Sequence, residues 1–302
     1  MSGTVYLHYT QAELDRNFDQ RAWARNGEEI IARCTQRSAA ARARLPIRAG
    51  VSYGPSADEV LDIFPAGGPG AAVQIFVHGG AWRAFTKDDY SFAAEGFAAA
   101  GLHTVVLSFA NLPAVRLPEM VSQVRRGMEW VYRNAPGFGG DPQRLYVTAH
   151  SSGAHLAAMA LEGWSAAPDV PEDFVKGATL ACGPYYLEPV TRSARSAYIR
   201  LTAQEVVELS PGLHASRLRC PVLLAWAEFD TDEFQRQSRE FAAALRAAGR
   251  LHKAVRVAGH NHFELMEAFA DPQHPLMQEI LAMAGPGGEA PPFNSRSAAW
   301  PG

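Results

Sequence analysis

The stretch "RLYVTAHSSGAHLAAM", Arg144 to Met159, decides the fold. Its first half is rich in β-branched and aromatic residues and reads as a strand, and "SGAHLAAMA" opens a helix. Two serines therefore stand on a strand-to-helix turn. A sharp elbow of this kind holds its central residue in a strained conformation and lifts the side chain above the sheet edge. The residues two before and two after the centre pass close together, so both must be small. With Ser151 at the centre they are Ala149 and Gly153; with Ser152 they would be His150 and Ala154, and an imidazole does not suit the tight packing. Ser151 is the candidate nucleophile, in a G-x-S-x-G pattern whose first glycine is replaced by Ala149. The competing reading of the same turn is an ordinary serine helix cap.

Outward from this turn, strand-like runs recur at "VSYG", "EVLDIFPA", "VQIFVHGG", "HTVVLSF", "RLYVTAH", "GATLACG", "PVLLAWAEFD" and "HKAVRVAGH". Helical patterns separate most of the later ones. In "LPEMVSQVRRGMEWVYRNA", Met120, Val121, Val124, Met128, Val131 and Tyr132 form one apolar stripe. Alternation of this kind predicts crossover connections and a mostly parallel sheet of eight strands with helices on both faces. Only "PSAD" separates the first two runs, which is too short for a crossover, so these two should pair antiparallel at one edge.

The domain boundaries follow. Residues 1–45 form an N-terminal helical arm and 46–285 the α/β domain. The irregular segment 184–216 reads as a cap inserted beside the C-terminal sheet edge, and 286–302 as a Pro/Gly-rich tail pinned at most by Phe293 and Trp300. Arm and tail can either cross the pocket mouth or form a contact between two copies in a homodimer.

Composition narrows the function classes. The chain has 302 residues, 47% hydrophobic and 20% charged, with a formal net charge of −3. This fits a globular protein with a sizeable core and gives no polyanion-binding surface. The basic run "QRSAAARARLPIR" lacks aromatics and reads as a solvated helix end, so neither a nucleic-acid nor a membrane partner is expected. Cys34, Cys182 and Cys220 have no C-x-x-C spacing and read as buried thiols rather than a disulfide framework or zinc site. The N-terminus "MSGTVYLHYT" lacks a basic segment followed by an apolar run, and no apolar stretch reaches the roughly 18 residues of a spanning helix. The expected compartment is cytoplasmic.

A serine attacking a carbonyl creates an oxyanion, which needs preplaced N–H donors. One is the amide of Ser152, at a helix N-terminus. The others should come from "IFVHGGAW", where a strand runs into Gly79 and Gly80 and the backbone can turn its amides toward a ligand. Acid and base should follow the serine in that order. Asp230 stands at the end of "PVLLAWAEFD", on the edge where α/β ligand sites form. Asp232 reads better as the next helix cap, and Glu228 is still inside the strand. His260 and His262 both precede a helix; His262 adjoins its start. His78, His150 and His155 cluster near these motifs, but His150 and His155 straddle a strand–helix junction and do not share a helical face, so no metal site is expected. No cofactor is called for.

"HGGAW", "AHSSGAHL", "EFDTDEFQRQS" and "NHF", in this order, resemble the serine-type arylformamidases (kynurenine formamidases) of the α/β-hydrolase superfamily. That family carries HGGYW, GHSAGAHL, a D-S-P-E-F-type acid motif and a D-H-F-type base motif, and the similarity spans roughly residues 45–270. The resemblance implies the α/β-hydrolase fold and a triad of Ser151, Asp230 and His262. It also implies an oxyanion hole from HGG, with Trp82 lining the pocket. Phe109, Tyr185 and Tyr186 are further candidates for an aromatic wall. Ala81 stands for the family tyrosine, Ser152 for alanine, and "SFANLP" for a Tyr-containing segment. The expected activity is acyl-enzyme hydrolysis of a small aromatic amide, formamide or ester. The alternatives are a general short-chain carboxylesterase or xenobiotic amidase, and a non-catalytic ligand-binding scaffold.

Overall fold

The computed structural model describes residues 3–162 and 167–285. The tail 286–302, with Phe293 and Trp300, lies outside the described residues. Eight strands form one sheet: β1 (Arg48–Ser52), β2 (Val60–Phe64), β3 (Ala71–Val77), β4 (His103–Leu107), β5 (Gly140–His150), β6 (Val175–Ala181), β7 (Val222–Ala227) and β8 (Leu251–Val257), in the order β1-β2-β4-β3-β5-β6-β7-β8. As the short "PSAD" link requires, β1 pairs antiparallel with β2. β2 is also antiparallel to β4, and β3 to β8 run parallel.

Strand sequence dictates how the layers form. In β3, Val73, Ile75 and Val77 enter one apolar cluster, while Ala72 and Phe76 enter the other. Leu224 and Leu223 divide the same way in β7. The strands read as near-continuous apolar runs because successive side chains alternate between two faces that are both buried. Helices Leu117–Asn134, Ser152–Ala160 and Asp232–Ala247 cover one face; Gly27–Arg44, Ala93–Ala99 and Pro275–Ala284 cover the other.

From β3 the chain moves to β4 on one side, then crosses to β5 on the other. The sheet thus has its switch point between β3 and β5, where α/β folds open a crevice at the carboxyl strand ends. The turns after β3 and β5 carry the His-Gly-Gly loop and Ser151. The ends of β7 and β8 bring Asp230 and His262 to the same edge.

The N-terminal segment forms helices Gln11–Asn17, Gln20–Trp23 and Gly27–Arg44. The basic run at the end of the third is not a free surface. Arg37 and Arg44 both pair with Glu95, and Arg42 pairs with the buried Asp62, so carboxylates of the body take up its charge. Residues 184–216 hold the short helices Glu188–Arg192 and Ala203–Glu208 with 3₁₀ turns. Cys34, Cys182 and Cys220 are free and buried. No helix among the described residues is long and apolar enough to cross a membrane.

Candidate active site

Ser151 has φ 56° and ψ −128°, a region that costs a non-glycine residue about 1–3 kcal/mol and survives only where the surroundings enforce it. Two features enforce it here. The Ser151 amide donates to the Ala181 carbonyl at the end of β6 (2.8 Å). Gly153 is pressed against β3, where an added Cβ would lie 2.3 Å from the His78 carbonyl oxygen and 2.4 Å from that of Val77. Ala149 pairs with Val77 and Leu180 inside the sheet, and its methyl group fits there.

The Ser151 hydroxyl lies 2.9 Å from Nε2 of His262, and His262 Nδ1 lies 2.8 Å from Oδ2 of Asp230. A carboxylate only accepts, so Nδ1 carries the proton in the neutral ring and Nε2 presents its lone pair to the serine. The other Asp230 oxygen, Oδ1, accepts the Thr231 amide (2.8 Å). All three residues are buried. His260 points elsewhere: it is bonded to Ala258 and His274. Glu228 is taken by Arg256 and the Gly259 amide. Asp232 is not the helix cap that its position implied. Thr231 caps through its hydroxyl, which accepts the Phe234 amide (3.2 Å), and Asp232 sits in the first turn.

The glycine loop wraps the serine from the β3 side. At Gly80 (φ 115°) an added Cβ would lie 1.9 Å from the Ala84 carbonyl oxygen, so that position accepts no side chain, and at Gly79 it would press on the Ser151 Cβ at 3.0 Å. Among the described residues, no acceptor is found for the amides of Gly79, Gly80, Ala81 or Ser152. The Ser152 hydroxyl accepts the Trp82 amide (3.1 Å), which ties the loop to the elbow.

The neighbouring histidines brace this arrangement as neutral rings. His78 Nδ1–H donates to the Gly79 carbonyl (2.8 Å). His150 Nε2–H donates to the His262 carbonyl (3.1 Å), with Tyr90 Oη 3.4 Å from its Nδ1. His155 Nε2–H donates to Leu209, and its Nδ1 accepts the Trp82 indole N–H (3.3 Å). Burial holds His78 and His155 down to about 4, and His150 well below the usual imidazole range. His150, Cys182 and His262 offer ligand atoms within 4.8 Å of one another, a set the sequence did not single out. Two of its members are otherwise engaged: His150 Nε2–H is spent on the His262 carbonyl, and the two ring nitrogens of His262 face Ser151 and Asp230. This donor set does not suit a metal.

A cavity of about 530 Å³ opens onto Ser151 and His262 and is lined also by Gly80 and Ala81. The BD-FAE family model matches residues 61–168. A kynurenine formamidase of Danio rerio is 32% identical over 243 residues, which cover 78% of this chain and 81% of the relative. The chain belongs to the kynurenine formamidase family. A kynurenine formamidase of Salmo salar is 29% identical over 288 residues, covering 90% of this chain and 96% of its own. Among solved structures, a putative thioesterase from Silicibacter sp. superposes with a TM-score of 0.79 over 89% of this chain and 99% of that one, at 23% identity, and so shares the fold. This kynurenine formamidase family member is a hydrolase with the α/β-hydrolase fold.

The expected aromatic wall of the cavity needs correction. Trp82, Phe109 and Tyr185 are buried structural residues and do not line it. Trp82 is turned to His155, Phe109 stacks on His78 (4.3 Å between centroids), and Tyr185 stacks on Phe241 (4.4 Å) with its hydroxyl accepting the Gly183 amide. The walls come from Phe85 and Tyr90, from Phe18, Gln20 and Ile31 of the N-terminal segment, and from Arg195 and Tyr198. None of these stands within a recognisable motif.

Proposed function

We propose that the protein hydrolyses a small aryl formamide, amide or ester through an acyl-enzyme on Ser151. His262 Nε2 takes the Ser151 proton as the oxygen attacks the carbonyl. Asp230 holds the productive tautomer and stabilises the imidazolium that forms. The oxyanion meets amides of Gly79, Gly80 and Ala81 on one side and of Ser152 on the other; each such donor is worth on the order of 10²–10³ in rate. His262 then returns the proton to the leaving nitrogen or oxygen, and water repeats the sequence on the acyl-enzyme. The relatives' activity points to the formyl group of N-formylkynurenine as the acyl group.

The observation that carries this reading is the unbroken line from Ser151 through His262 to Asp230 at a strained elbow, beside amides with no acceptor among the described residues. In this reading residues 1–45 and 184–216 act as arm and cap that roof the cavity, supported by Phe18 and Arg195 in its walls.

Ser151→Ala tests it. Turnover of N-formylkynurenine and p-nitrophenyl acetate should fall by on the order of 10⁵-fold, with an unchanged melting temperature. Near-normal turnover in that variant would rule the reading out.

A further inference from the structure

Arg195 is 8% exposed, lines the same cavity as Ser151, and forms no ion pair with any carboxylate among the described residues. Its Nε donates to the Phe18 carbonyl (3.0 Å) and its Nη2 to the Gln20 side-chain oxygen (2.6 Å). The rings of Phe18, Trp82 and Phe234 lie 5.5, 5.9 and 5.9 Å from the guanidinium carbon. Nη1 has no acceptor among the described residues. Burying a guanidinium with only neutral partners is costly, and an arriving anion would find that desolvation already accomplished. Burial is the largest influence on Arg195 and weakens its hold on the proton, ahead of the opposing through-space effects of Tyr198 and Asp19.

The carboxylates in the cavity wall are not hydrogen-bonded to this edge, although Asp19 acts on it through space. Asp15 Oδ1 accepts the Ala194 amide (2.6 Å) and the Gln11 side chain (2.9 Å), and Asp19 Oδ1 accepts the Arg21 amide (3.2 Å). Arg21 is paired with Glu28. Arg83 is exposed and lies over Tyr198 (4.6 Å). Arg195 and His262 both contact the Phe234 ring, His262 edge-on at 5.4 Å between centroids, so the cation and the reacting serine share one end of the cavity.

We propose that Arg195 is a specificity-determining residue that anchors a carboxylate of the substrate while Ser151 meets the scissile carbonyl. The side-chain carboxylate of N-formylkynurenine is the group such an anchor would hold. This rests on the hydrolase reading above, and it gives the arm a function: Phe18 and Gln20 orient the fork of the guanidinium so that its free edge faces the cavity.

The test compares N-formylkynurenine with its side-chain carboxamide in the wild type, Arg195→Gln and Arg195→Lys, alongside melting temperatures. Arg195→Gln should raise KM for the carboxylate substrate on the order of 10- to 100-fold, the worth of a charged hydrogen-bonded contact, and raise KM for the carboxamide far less. Arg195→Lys should recover part of the loss, since it keeps the charge without the fork. An equal loss on both substrates would show that Arg195 only pins the arm, and an unchanged KM for the acid would equally overturn the proposal. A second measurement needs no formamide turnover: phenylbutyrate against phenylbutyramide as inhibitors of p-nitrophenyl acetate hydrolysis. The wild type should prefer the acid and Arg195→Gln should not; a wild type with no preference overturns the anchor. If the acid is preferred but N-formylkynurenine is not cleaved, the formamide reading fails and the anchor stands.

Discussion

Gly153→Ala separates the geometric argument for the elbow from a mere match to a motif. The new methyl carbon would stand 2.3–2.4 Å from the carbonyl oxygens of His78 and Val77, about 1 Å inside ordinary contact. Both are backbone atoms, so no rotamer change relieves the clash; the end of β3 and the serine turn must part. Stability falls by a net amount of up to about 2 kcal/mol. Alanine gains about 1 kcal/mol over glycine in a helix, against about 1–3 kcal/mol for overpacking. The loss falls on geometry, because β3 leads directly into the amides of Gly79, Gly80 and Ala81. A displacement of about 1 Å between these donors and Ser151 should lower kcat on the order of 100-fold. Steady-state hydrolysis of p-nitrophenyl acetate, read beside a thermal melt, measures both terms. A variant with wild-type kcat and wild-type melting temperature would show that the elbow tolerates a methyl group at position 153. Ala149→Gly is the contrasting change: it restores the usual glycine, removes one buried methyl at about 1 kcal/mol, and should leave kcat unchanged.

Other outcomes follow from buried titratable groups. His78 and His155 are held neutral at about 4 and His150 lower still, so their contribution is complete above the unfolded value of about 6.5 and is lost as pH falls toward 4. At pH 5 this removes about 2 kcal/mol per ring. Glu162, raised to about 7 by burial, works in the opposite direction and offsets roughly one ring. Denaturant melts at pH 7.5 and 5 should therefore show a net loss of about 4 kcal/mol, and equal stability at the two values would contradict the neutral-histidine assignment. Cys182 lies beside the Asp230 carboxylate but is fully buried, with its thiol pushed well up. Iodoacetamide should leave activity intact, and rapid inactivation traced to Cys182 would show that the site opens.

Much of the fold and of the candidate site was legible from sequence because the candidate residues sit where the fold is most regular. A parallel sheet buried on both faces writes each strand as an apolar run, and Ser151, Asp230 and His262 stand one, three and five residues beyond the ends of β5, β7 and β8. Clearance around Ser151 could be argued from Ala149 and Gly153 alone. The cavity walls could not. Trp82 adjoins the glycine loop in sequence, yet a positive φ of 62° and its bond to His155 turn it into the core. Phe18, Gln20 and Arg195 reach the cavity from segments remote in sequence, brought together by packing that no local pattern encodes. The Ser152 hydroxyl, a departure from the family alanine, gains its meaning only from the Trp82 amide it accepts.

The proposed chemistry depends on Ser151 being an activated nucleophile. Incubation with an aryl fluorophosphonate, followed by intact mass measurement and peptide mapping, tests it most directly. One adduct should form, on Ser151, rapidly in the wild type, slowly in His262→Gln and not at all in Ser151→Ala. No adduct, or an adduct on Ser152, would contradict it.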